Sequence, residues 1–502
     1  MRSGRVAIGA LALLLFLHAA PAGAAFHFSA PTTYKVDGQL WSVGIGDFDG
    51  DGRQDFAAVT DATAEDPSNN RSLYIYFGKE GGGFATPVQT RGLFPDGDQP
   101  PLVAVDVNAD GRTEIFIGHA EGLTVVHVDG ARHITSAQAS GPYCVLLAHG
   151  DVNGDGYQDI VSDSTIYFGN GQGGLEEGIP LVLQEVPRPS TIVLEDMNRD
   201  GRADLVVTHR MDGYVFLNQA GGFPSSPRVL ATGYEPWNPG GAAAADFNHD
   251  GRIDVSVGKE SNSPTIVSTF FQSTLGTFPT RKNLGSYDVP SRMLAEDIDK
   301  DGLADLLVMH DGWGSVGIYF QTETGLVDEV LYPSATTDWQ TGVALGDVDG
   351  DGCTDIAVAS PVLGLQVRHG LECATMDMAV GVGLTATTAT VRLENKSANG
   401  VIDQPVVEAD LSIRVGSMQL TTVPDNCVPQ QVSAAKTHVE CLVDPIAAGQ
   451  SDTLLFGFQA SPRSVGNRIT IAASAHSPAK ETNPANNSAT SWMNYWPNKV
   501  AR

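Results

Sequence analysis

Acidic side chains recur along this chain in a nine-residue pattern that suits the binding of a hard metal cation. The pattern is Asp-x-(Asp/Asn)-x-Asp-Gly-x-x-(Asp/Glu), and its seven copies start 45 to 59 residues apart. Positions 1, 3, 5 and 9 offer carboxylate or amide oxygens, the ligands that hard divalent cations take in proteins. Loop by loop, the candidate ligands are Asp47, Asp49, Asp51, Asp55; Asp106, Asn108, Asp110, Glu114; Asp151, Asn153, Asp155, Asp159; Asp196, Asn198, Asp200, Asp204; Asp246, Asn248, Asp250, Asp254; Asp297, Asp299, Asp301, Asp305; and Asp347, Asp349, Asp351, Asp355.

The composition of these loops favours calcium. Magnesium demands stricter octahedral geometry, and zinc sites usually contain His or Cys. A glycine at position 6 of every copy permits the tight, partly left-handed turn that folds the ligands inward. An EF-hand would need a bidentate Glu at position 12, where this chain has no acidic residue. We therefore predict up to seven Ca²⁺ ions, in loops that close at position 9 and continue into a β-strand.

The ligand positions account for much of the acidity of the chain. Seven loops of four positions contain 28 side chains, four of which are Asn, so 24 of the 59 acidic residues are candidate ligands. The formal net charge is −29. A chain this acidic is not expected to bind nucleic acid, because nucleic-acid partners need basic surfaces.

Residues 1–24 have the features of a secretory signal peptide. Arg2 and Arg5 precede a short apolar run at 6–17, and Ala22-Gly23-Ala24 offers a small-residue cleavage site. No other stretch reaches the ~18 apolar residues of a membrane span. We expect a secreted mature protein without a transmembrane segment, located outside the cell, on its surface or in a periplasm.

Cysteine usage fits an oxidising compartment. The chain has five cysteines, and proximity along the sequence predicts the pairs Cys353–Cys373 and Cys427–Cys441. Cys144 lies in an apolar run and is predicted to be a free buried thiol. Proximity alone does not fix the connectivity.

The segments between the loops predict an all-β fold. Each acidic loop lies between two short apolar runs, and a third, often aromatic run and a more polar fourth run follow. Four short strands per unit of about fifty residues are typical of a β-propeller blade. The seventh unit lacks its fourth run, and residues 26–34 resemble that run. We therefore predict a seven-bladed propeller over residues 26–373, closed by an N-terminal strand that removes the open edge.

This region resembles the FG-GAP/VCBS repeat family, the calcium-loop propeller found in the integrin α-subunit head. The resemblance implies that the loop Asp, Asn and Glu residues named above are calcium ligands, joined by the main-chain carbonyl of position 7. The chain departs from the integrin pattern because all seven units carry the loop. Integrin function therefore does not follow from the resemblance.

Residues 376–495 lack the repeat and contain alternating apolar and polar runs. Such runs, separated by turn residues, predict a β-sandwich of about a hundred residues. The Cys427 to Cys441 spacing and the run at 483–488 resemble an Ig-like repeat domain of bacterial surface proteins. That resemblance implies a spacer or adhesive module.

Two further sets of residues recur in phase with the loops. The aromatic residues Trp41, Tyr143, Trp237, Tyr287 and Trp339 precede the first strand of their units, at the end opposite the acidic loops. They either pack between blades, which we favour, or form an exposed platform for a carbohydrate or peptide. His119, His209 and His310 recur thirteen residues after position 1 of alternate loops. We expect these histidines to form a polar rim, too far apart to share one ion.

The chain contains no HExxH, P-loop or G-x-S-x-G motif. We therefore favour a calcium-stabilised module for binding or cell adhesion, with an extracellular carbohydrate or protein as its ligand. The alternative is an extracellular propeller enzyme that acts on glycans or other polymers. In a propeller, catalytic residues near the central channel come from scattered positions, so both classes stay open.

Overall fold

The computed structural model describes most of the chain after residue 25. The described residues are 26–61, 71–79, 82–94, 100–183, 186, 188–210, 212–219, 222–223, 226–233, 239–259, 265–310, 314–322, 324–333, 342–371, 373, 377–397, 401–402, 405–447, 449–462, 467–476 and 486–495. The predicted signal peptide, 1–24, lies outside them. The regular elements of this part are β-strands, and it contains no helix long and apolar enough to cross a membrane.

Seven four-stranded antiparallel sheets form from the described residues between 26 and 373. Two short strands, β1 (His27–Phe28) and β2 (Thr32–Tyr34), precede the first of these sheets. The first three sheets are β3 (Gln39–Gly46), β4 (Asp55–Asp61), β5 (Ser72–Tyr76) and β6 (Val88–Arg91); β7 (Leu102–Val105), β8 (Glu114–His119), β9 (Gly122–Val128) and β10 (Ile134–Ser140); and β11 (Leu147–Gly150), β12 (Asp159–Ser162), β13 (Thr165–Tyr167) and β14 (Ile179–Pro180).

The remaining four sheets repeat this order with two additions. The sixth contains a small hairpin, and the seventh borrows β2 as its fourth strand. Their strands are β15 (Thr191–Glu195), β16 (Asp204–His209), β17 (Asp212–Phe216) and β18 (Arg228–Leu230); β19 (Pro239–Ala245), β20 (Asp254–Lys259), β21 (Ile266–Phe271) and β22 (Thr280–Gly285); β23 (Pro290–Glu296), β24 (Asp305–His310), β25 (Ser315–Tyr319), the hairpin β26 (Gln321–Thr322) and β27 (Gly325–Leu326), and β28 (Val330–Pro333); and β29 (Gly342–Gly346), β30 (Asp355–Ser360), β31 (Gly364–Arg368) and the short β32 (Gly370–Leu371).

The N-terminal strands pair with the last sheet. β2 pairs antiparallel with β31, with Thr33 opposite Gln366, and β1 pairs with β32. This pairing confirms the prediction that residues near 26–34 supply the outer strand of the last unit. Because the pairing joins the two ends of the repeat array, it leaves no unpaired outer edge on β31.

Hydrophobic cores lie between neighbouring sheets rather than within one central layer. Each of seven buried clusters contains residues from two consecutive sheets, and one cluster joins the last sheet to the first. In that closing cluster, Phe56 and Tyr74 of the first sheet pack with Leu365 and Val367 of the seventh. The second and third strands of each sheet are therefore buried on both faces. This burial explains why their sequences are continuous apolar runs. The repeated sheets are those of a β-propeller.

The residues after 376 form two sheets around one separate core. The four-stranded sheet has the order β33-β34-β41-β37, the five-stranded sheet β38-β39-β36-β42-β43, and β35 pairs with β40. Val391 and Phe456 of the first sheet share a buried cluster with Val407 and Ile471 of the second. Their bounds are β33 (Met378–Leu384), β34 (Thr388–Asn395), β35 (Val401–Ile402), β36 (Val406–Ile413), β37 (Gly416–Thr422), β38 (Cys427–Ser433), β39 (Lys436–Leu442), β40 (Ile446–Ala447), β41 (Ser451–Pro462), β42 (Asn467–His476) and β43 (Ser488–Tyr495).

Both predicted disulfides are confirmed. Cys353 is bonded to Cys373, and Cys427 is bonded to Cys441. Cys144 is free and buried, and burial raises the pKa of its thiol. A thiol held protonated and away from solvent is a weak nucleophile, so Cys144 belongs to the core and not to a reactive site.

Candidate metal centres

All seven acidic loops occupy the same place in the fold. Each loop connects the first strand of a sheet to the second, and its position-9 residue is the first residue of that second strand. The loops therefore lie at one end of the sheets. The position-9 residues are Asp55, Glu114, Asp159, Asp204, Asp254, Asp305 and Asp355.

Main-chain N–H groups organise the ligands at positions 1 and 5. In every loop the position-1 carboxylate accepts from the N–H of the glycine at position 6, as in Gly52 to Asp47 (2.7 Å) and Gly251 to Asp246 (2.6 Å). The position-5 carboxylate accepts from the N–H of position 7, as in Cys353 to Asp351 (2.7 Å). The carboxylates are thus held inside the loop.

Two positions of each loop adopt left-handed backbone angles. The position-6 glycines have φ values from 78° to 92°, which confirms the role predicted for them. Position 4 is left-handed as well, with φ from 56° to 78°. Residue type did not predict this, because the residue at position 4 varies from loop to loop. Position 4 is occupied by Gly50, Ala109, Gly154, Arg199, His249, Lys300 and Gly350.

Replacing a non-glycine residue at position 4 by glycine should stabilise the protein. A left-handed L-residue costs about 1–2 kcal/mol, and the entropy that Gly loses on folding offsets about 0.5–1 kcal/mol of this. Ala109→Gly (φ 57° for Ala109) should therefore raise the free energy of unfolding by about 0.5–1 kcal/mol. Urea unfolding measures the change. As a matched control, Ala137→Gly in the exposed strand β10 should lower stability; a loss in both variants would contradict the strain argument.

In five of the seven loops, the position-9 carboxylate joins the loop to the segment that follows the third strand. Asp204 Oδ2 accepts from the N–H of Met197 at position 2 (3.1 Å), and its Oδ1 accepts from the N–H of Asn218 after β17 (2.6 Å). Both bonds recur in the first, third, sixth and seventh loops. Apart from Glu114, which is 5% exposed, the position-9 residues have no exposed surface. Position 9 therefore connects three segments of its sheet, whatever else it binds.

Ligand oxygens converge in the three loops whose four acidic positions are all Asp. In each loop, three carboxylates offer oxygens that lie within 4.8 Å of one another. The converging sets are Asp47, Asp49 and Asp55; Asp297, Asp299 and Asp305; and Asp347, Asp349 and Asp351.

In three of the four loops with Asn at position 3, the amide oxygen accepts from the position-5 N–H inside the loop. Asn153 Nδ2 donates to Asp155 Oδ2 (2.9 Å), and Asn153 Oδ1 accepts from the N–H of Asp155 (2.9 Å). Asn108 and Asn248 accept from the position-5 N–H in the same way. An amide at position 3 lowers the negative charge that converges in these loops.

Arginines offset part of the loop charge. Arg53, Arg202 and Arg252 at position 7 pair with the position-5 carboxylate of their own loops. Arg132 reaches the first loop from the β9–β10 hairpin of the next sheet, where its Nε donates to Asp49 Oδ2 (2.7 Å) and its guanidinium lies over the Phe77 ring. Sequence reasoning missed Arg132, which is 83 residues from Asp49 along the chain.

Burial raises the pKa of several loop carboxylates. Desolvation, with repulsion from neighbouring Asp residues added, raises the pKa of Asp55 and Asp254 to about 7 and that of Asp305 to about 9. The pKa values of Asp159 and Asp204 rise to about 6, also mainly because of burial. Without a bound cation, these ionised groups are less stable in the folded state than in the unfolded chain.

Metal-free protein should therefore gain stability as the pH falls from 8 to 5. The pKa of these carboxylates is higher in the folded protein than in the unfolded chain. Between about pH 4 and the folded-state pKa, the native state therefore binds more protons than the unfolded chain. The free energy of unfolding consequently decreases as the pH rises through that range. We expect the Tm of calcium-stripped protein to be at least ~5 °C higher at pH 5.5 than at pH 8. Saturating Ca²⁺ should abolish or reverse this trend. If the Tm of the metal-free protein rises with pH over this range, the raised pKa values of the loop carboxylates are contradicted.

The three recurring histidines do not form an exposed polar rim. His310 is fully buried, with Nε2 2.6 Å from Glu329 Oε1, and His119 is nearly buried, with Nε2 3.1 Å from Gln138 Oε1. Only His209 is partly exposed, and its Nδ1 donates to the Arg188 carbonyl (2.9 Å). The rim prediction is therefore wrong for His119 and His310, because strand pairing at this end covers both rings. Among the described residues, these histidines join no common metal-ligand group.

The aromatic residues before the first strands differ in exposure. Tyr143 and Tyr287 are 42% and 51% exposed, whereas Trp41 is only partly exposed. Tyr287 also packs edge-on against the His310 ring. Trp237 and Trp339 lie outside the described residues. Both tyrosines thus have exposed surface at the end opposite the acidic loops, and Tyr287 also packs on a neighbouring ring.

Part of the repeat region matches a known family model. Residues 151–207, 196–257 and 276–358 match the family model described as an FG-GAP-like repeat. Integrin alpha-4 of Xenopus laevis is 35% identical over 92 residues, which make up 16% of this chain and 9% of the integrin. The chain thus spans less than a tenth of that relative's length.

Two solved structures align with part of this chain. A lectin from Agrocybe aegerita, described as recognising non-reducing terminal N-acetylglucosamine, is 18% identical with a TM-score of 0.46, and the match covers 64% of this chain and 86% of the lectin. The BBS1N chain from a complex with ARL6DN, soaked with lead, is 14% identical with a TM-score of 0.46, covering 68% of this chain and 96% of that one. The repeated four-stranded sheets and the matched repeats together support an FG-GAP-type β-propeller.

Proposed function

We propose that this protein is a secreted, calcium-stabilised binding or adhesion module for an extracellular carbohydrate or protein. In this proposal, residues 1–24 are a signal peptide, 26–373 a seven-bladed propeller with a calcium loop in each blade, and 376–495 an Ig-like β-sandwich. Two disulfides fit an oxidising compartment outside the cytoplasm.

The donor set of the loops fits calcium. Asp297 Oδ1 is buried and has no hydrogen-bond partner among the described residues, although the other oxygen of this carboxylate accepts from Gly302. A buried ionised oxygen without a partner is costly, and a cation beside it removes that cost. Asp299 and Asp305 each offer an oxygen within 4.8 Å of a carboxylate oxygen of Asp297. Carboxylate and main-chain oxygens without Cys ligands are the donors that calcium takes.

The observation that carries the binding role is the repetition of one loop geometry at all seven positions. The position-1 and position-5 bonds recur in every loop, and most position-9 carboxylates are bonded through both oxygens to main-chain N–H groups. A catalytic metal needs an open coordination position beside an acid, base or nucleophile. Seven near-identical hairpin connections instead support a scaffold whose ions stabilise the sheets and leave other surfaces for a ligand.

A glycan array and a protein-ligand screen on the calcium-saturated mature protein test this role. We expect saturable binding to one ligand class, weakened by Tyr287→Ala at the end opposite the loops. Tyr157→Ala is the matched control, because Tyr157 is also exposed but occupies position 7 of an acidic loop. A parallel hydrolase and lyase screen should show no turnover. If the protein turns over a polymer substrate and binds no ligand apart from that substrate, the proposal is overturned in favour of an enzyme.

A further inference from the structure

The seventh acidic loop has a nitrogen donor beside its carboxylates. His369 Nδ1 lies 3.2 Å from Asp349 Oδ2 and 3.3 Å from Asp355 Oδ2. In five of the six other sheets an apolar residue occupies the equivalent position, directly before the N–H group that donates to the position-9 carboxylate. These apolar residues are Phe77, Phe168, Leu217, Phe271 and Phe320. In the second sheet His127 occupies it, but its Nδ1 lies 3.7 Å from Glu114 Oε1, and among the described residues only His369 joins a group of three converging donors.

We propose that His369, Asp349 and Asp355 form a mixed nitrogen–oxygen site for a divalent first-row transition metal such as Zn²⁺, Mn²⁺ or Co²⁺. This site deepens the proposed function and rests on its premise that the loops hold divalent cations. Calcium takes oxygen ligands, whereas imidazole suits transition metals. One histidine therefore changes which cation the seventh loop prefers.

The spacing of the donor atoms fits such an ion. The three donors lie within 4.8 Å of one another, and two of the separations are 3.2 and 3.3 Å. Bonds of about 2.0–2.1 Å in a tetrahedral site place neighbouring donors about 3.3–3.4 Å apart. A transition-metal ion can thus be reached by all three donors with small side-chain movements.

Surrounding contacts hold these donors in place. Asp355 is fully buried and accepts from the N–H groups of Val348 (2.9 Å) and Gly370 (2.8 Å). The main chain of His369 is bonded on both sides to Ser29, whose Oγ accepts from the His369 N–H (2.9 Å) and whose N–H donates to the His369 carbonyl (2.8 Å). The N-terminal segment that closes the ring therefore also positions the imidazole.

A covalent link fixes the two halves of the site. Cys353 is position 7 of this loop, and its disulfide partner Cys373 lies four residues after His369. Because loop and histidine segment are tied together, little conformational entropy remains to be lost when a metal binds. Preorganised ligands of this kind raise affinity and selectivity.

Cobalt binding to the full mature chain tests the site, with Ca²⁺ kept saturating so that the other loops are occupied. We expect one equivalent of Co²⁺ with visible ligand-field absorption, displaced by Zn²⁺, and metal analysis after dialysis should find one Zn²⁺ per chain. His369→Phe installs the residue found in other sheets and should weaken Co²⁺ binding at least ~10-fold while leaving the Tm in Ca²⁺ unchanged. His133→Phe, which removes an exposed histidine paired with Asp129, should leave Co²⁺ binding unchanged.

Equal Co²⁺ affinity of the parent and His369→Phe proteins would overturn this site, as would the absence of tight Co²⁺ binding. In the latter case the imidazole serves only as an ion-pair partner of the two carboxylates. Either result leaves the proposed function standing if Ca²⁺ still raises the Tm. Loss of the Ca²⁺ effect in the parent protein would instead overturn the calcium scaffold itself.

Discussion

Removing calcium should lower the Tm of the propeller by at least ~15 °C. At millimolar Ca²⁺ and a Kd of about 0.1 mM, each occupied loop adds about 1.4 kcal/mol to the free energy of unfolding. Six or seven loops together add about 8–10 kcal/mol, as much as the whole stability of an ordinary domain. The loop carboxylates repel one another without an ion, which adds to the loss. Calorimetry with and without a strong chelator measures the effect.

The C-terminal β-sandwich provides an internal control for this experiment. Its strands lie in residues 378–495, which contain none of the acidic loops, so its unfolding transition should not move on chelation. Adding Mg²⁺ to the chelated protein should restore only part of the lost Tm, because Mg²⁺ gives up its waters reluctantly. A propeller transition that stays in place after chelation would refute the calcium scaffold.

Asp204→Ala should destabilise the protein by about 2–5 kcal/mol even when no calcium is present. The substitution removes both acceptors of the Met197 and Asn218 N–H groups, and each buried donor left without a partner costs about 1–3 kcal/mol. The site is fully buried, so water cannot take the place of the carboxylate easily. Chemical denaturation of metal-free protein measures the change.

Asp200→Ala in the same loop is the matched control. Asp200 is also a candidate calcium ligand, but it is partly exposed and pairs with Arg202. Its substitution should change the stability of metal-free protein by less than ~1 kcal/mol, since exposed pairs contribute little. Both variants should lose stabilisation by Ca²⁺. Equal destabilisation of the two metal-free variants would show that position 9 is a ligand only and not a connection between strands.

The acidic loops show which structural features could be predicted from the sequence and which could not. The left-handed glycine at position 6 was predictable from the sequence, because glycine adopts positive φ more easily than other residues. The acidic residues of the pattern likewise marked the candidate ligands. The left-handed position 4 was not, because Ala109, Arg199, His249 and Lys300 occupy it as readily as glycine does. At position 4 the main-chain hydrogen bonds of the loop impose a left-handed conformation that these residues do not prefer.

Side-chain contacts between residues far apart in the chain were beyond prediction for a different reason. Arg132 meets Asp49, and Ser29 holds His369, through sequence separations of 83 and 340 residues. A repeat pattern assigns each residue to its own unit, but it does not say which side chains of neighbouring units meet. The burial of His119 and His310 was missed in the same way, since their covers come from other strands and turns of the sheet.

The amino-acid sequence predicted the repeated four-stranded units, the oxygen-bearing side chains of their loops, the pairing of the N-terminal strand and both disulfides. Each of these follows from local spacing or residue type, which a linear chain records directly. The folded protein was needed to show which loops receive an arginine or a histidine from elsewhere and which carboxylates connect strands. Those properties depend on distances between residues far apart in the chain, and packing between sheets sets those distances.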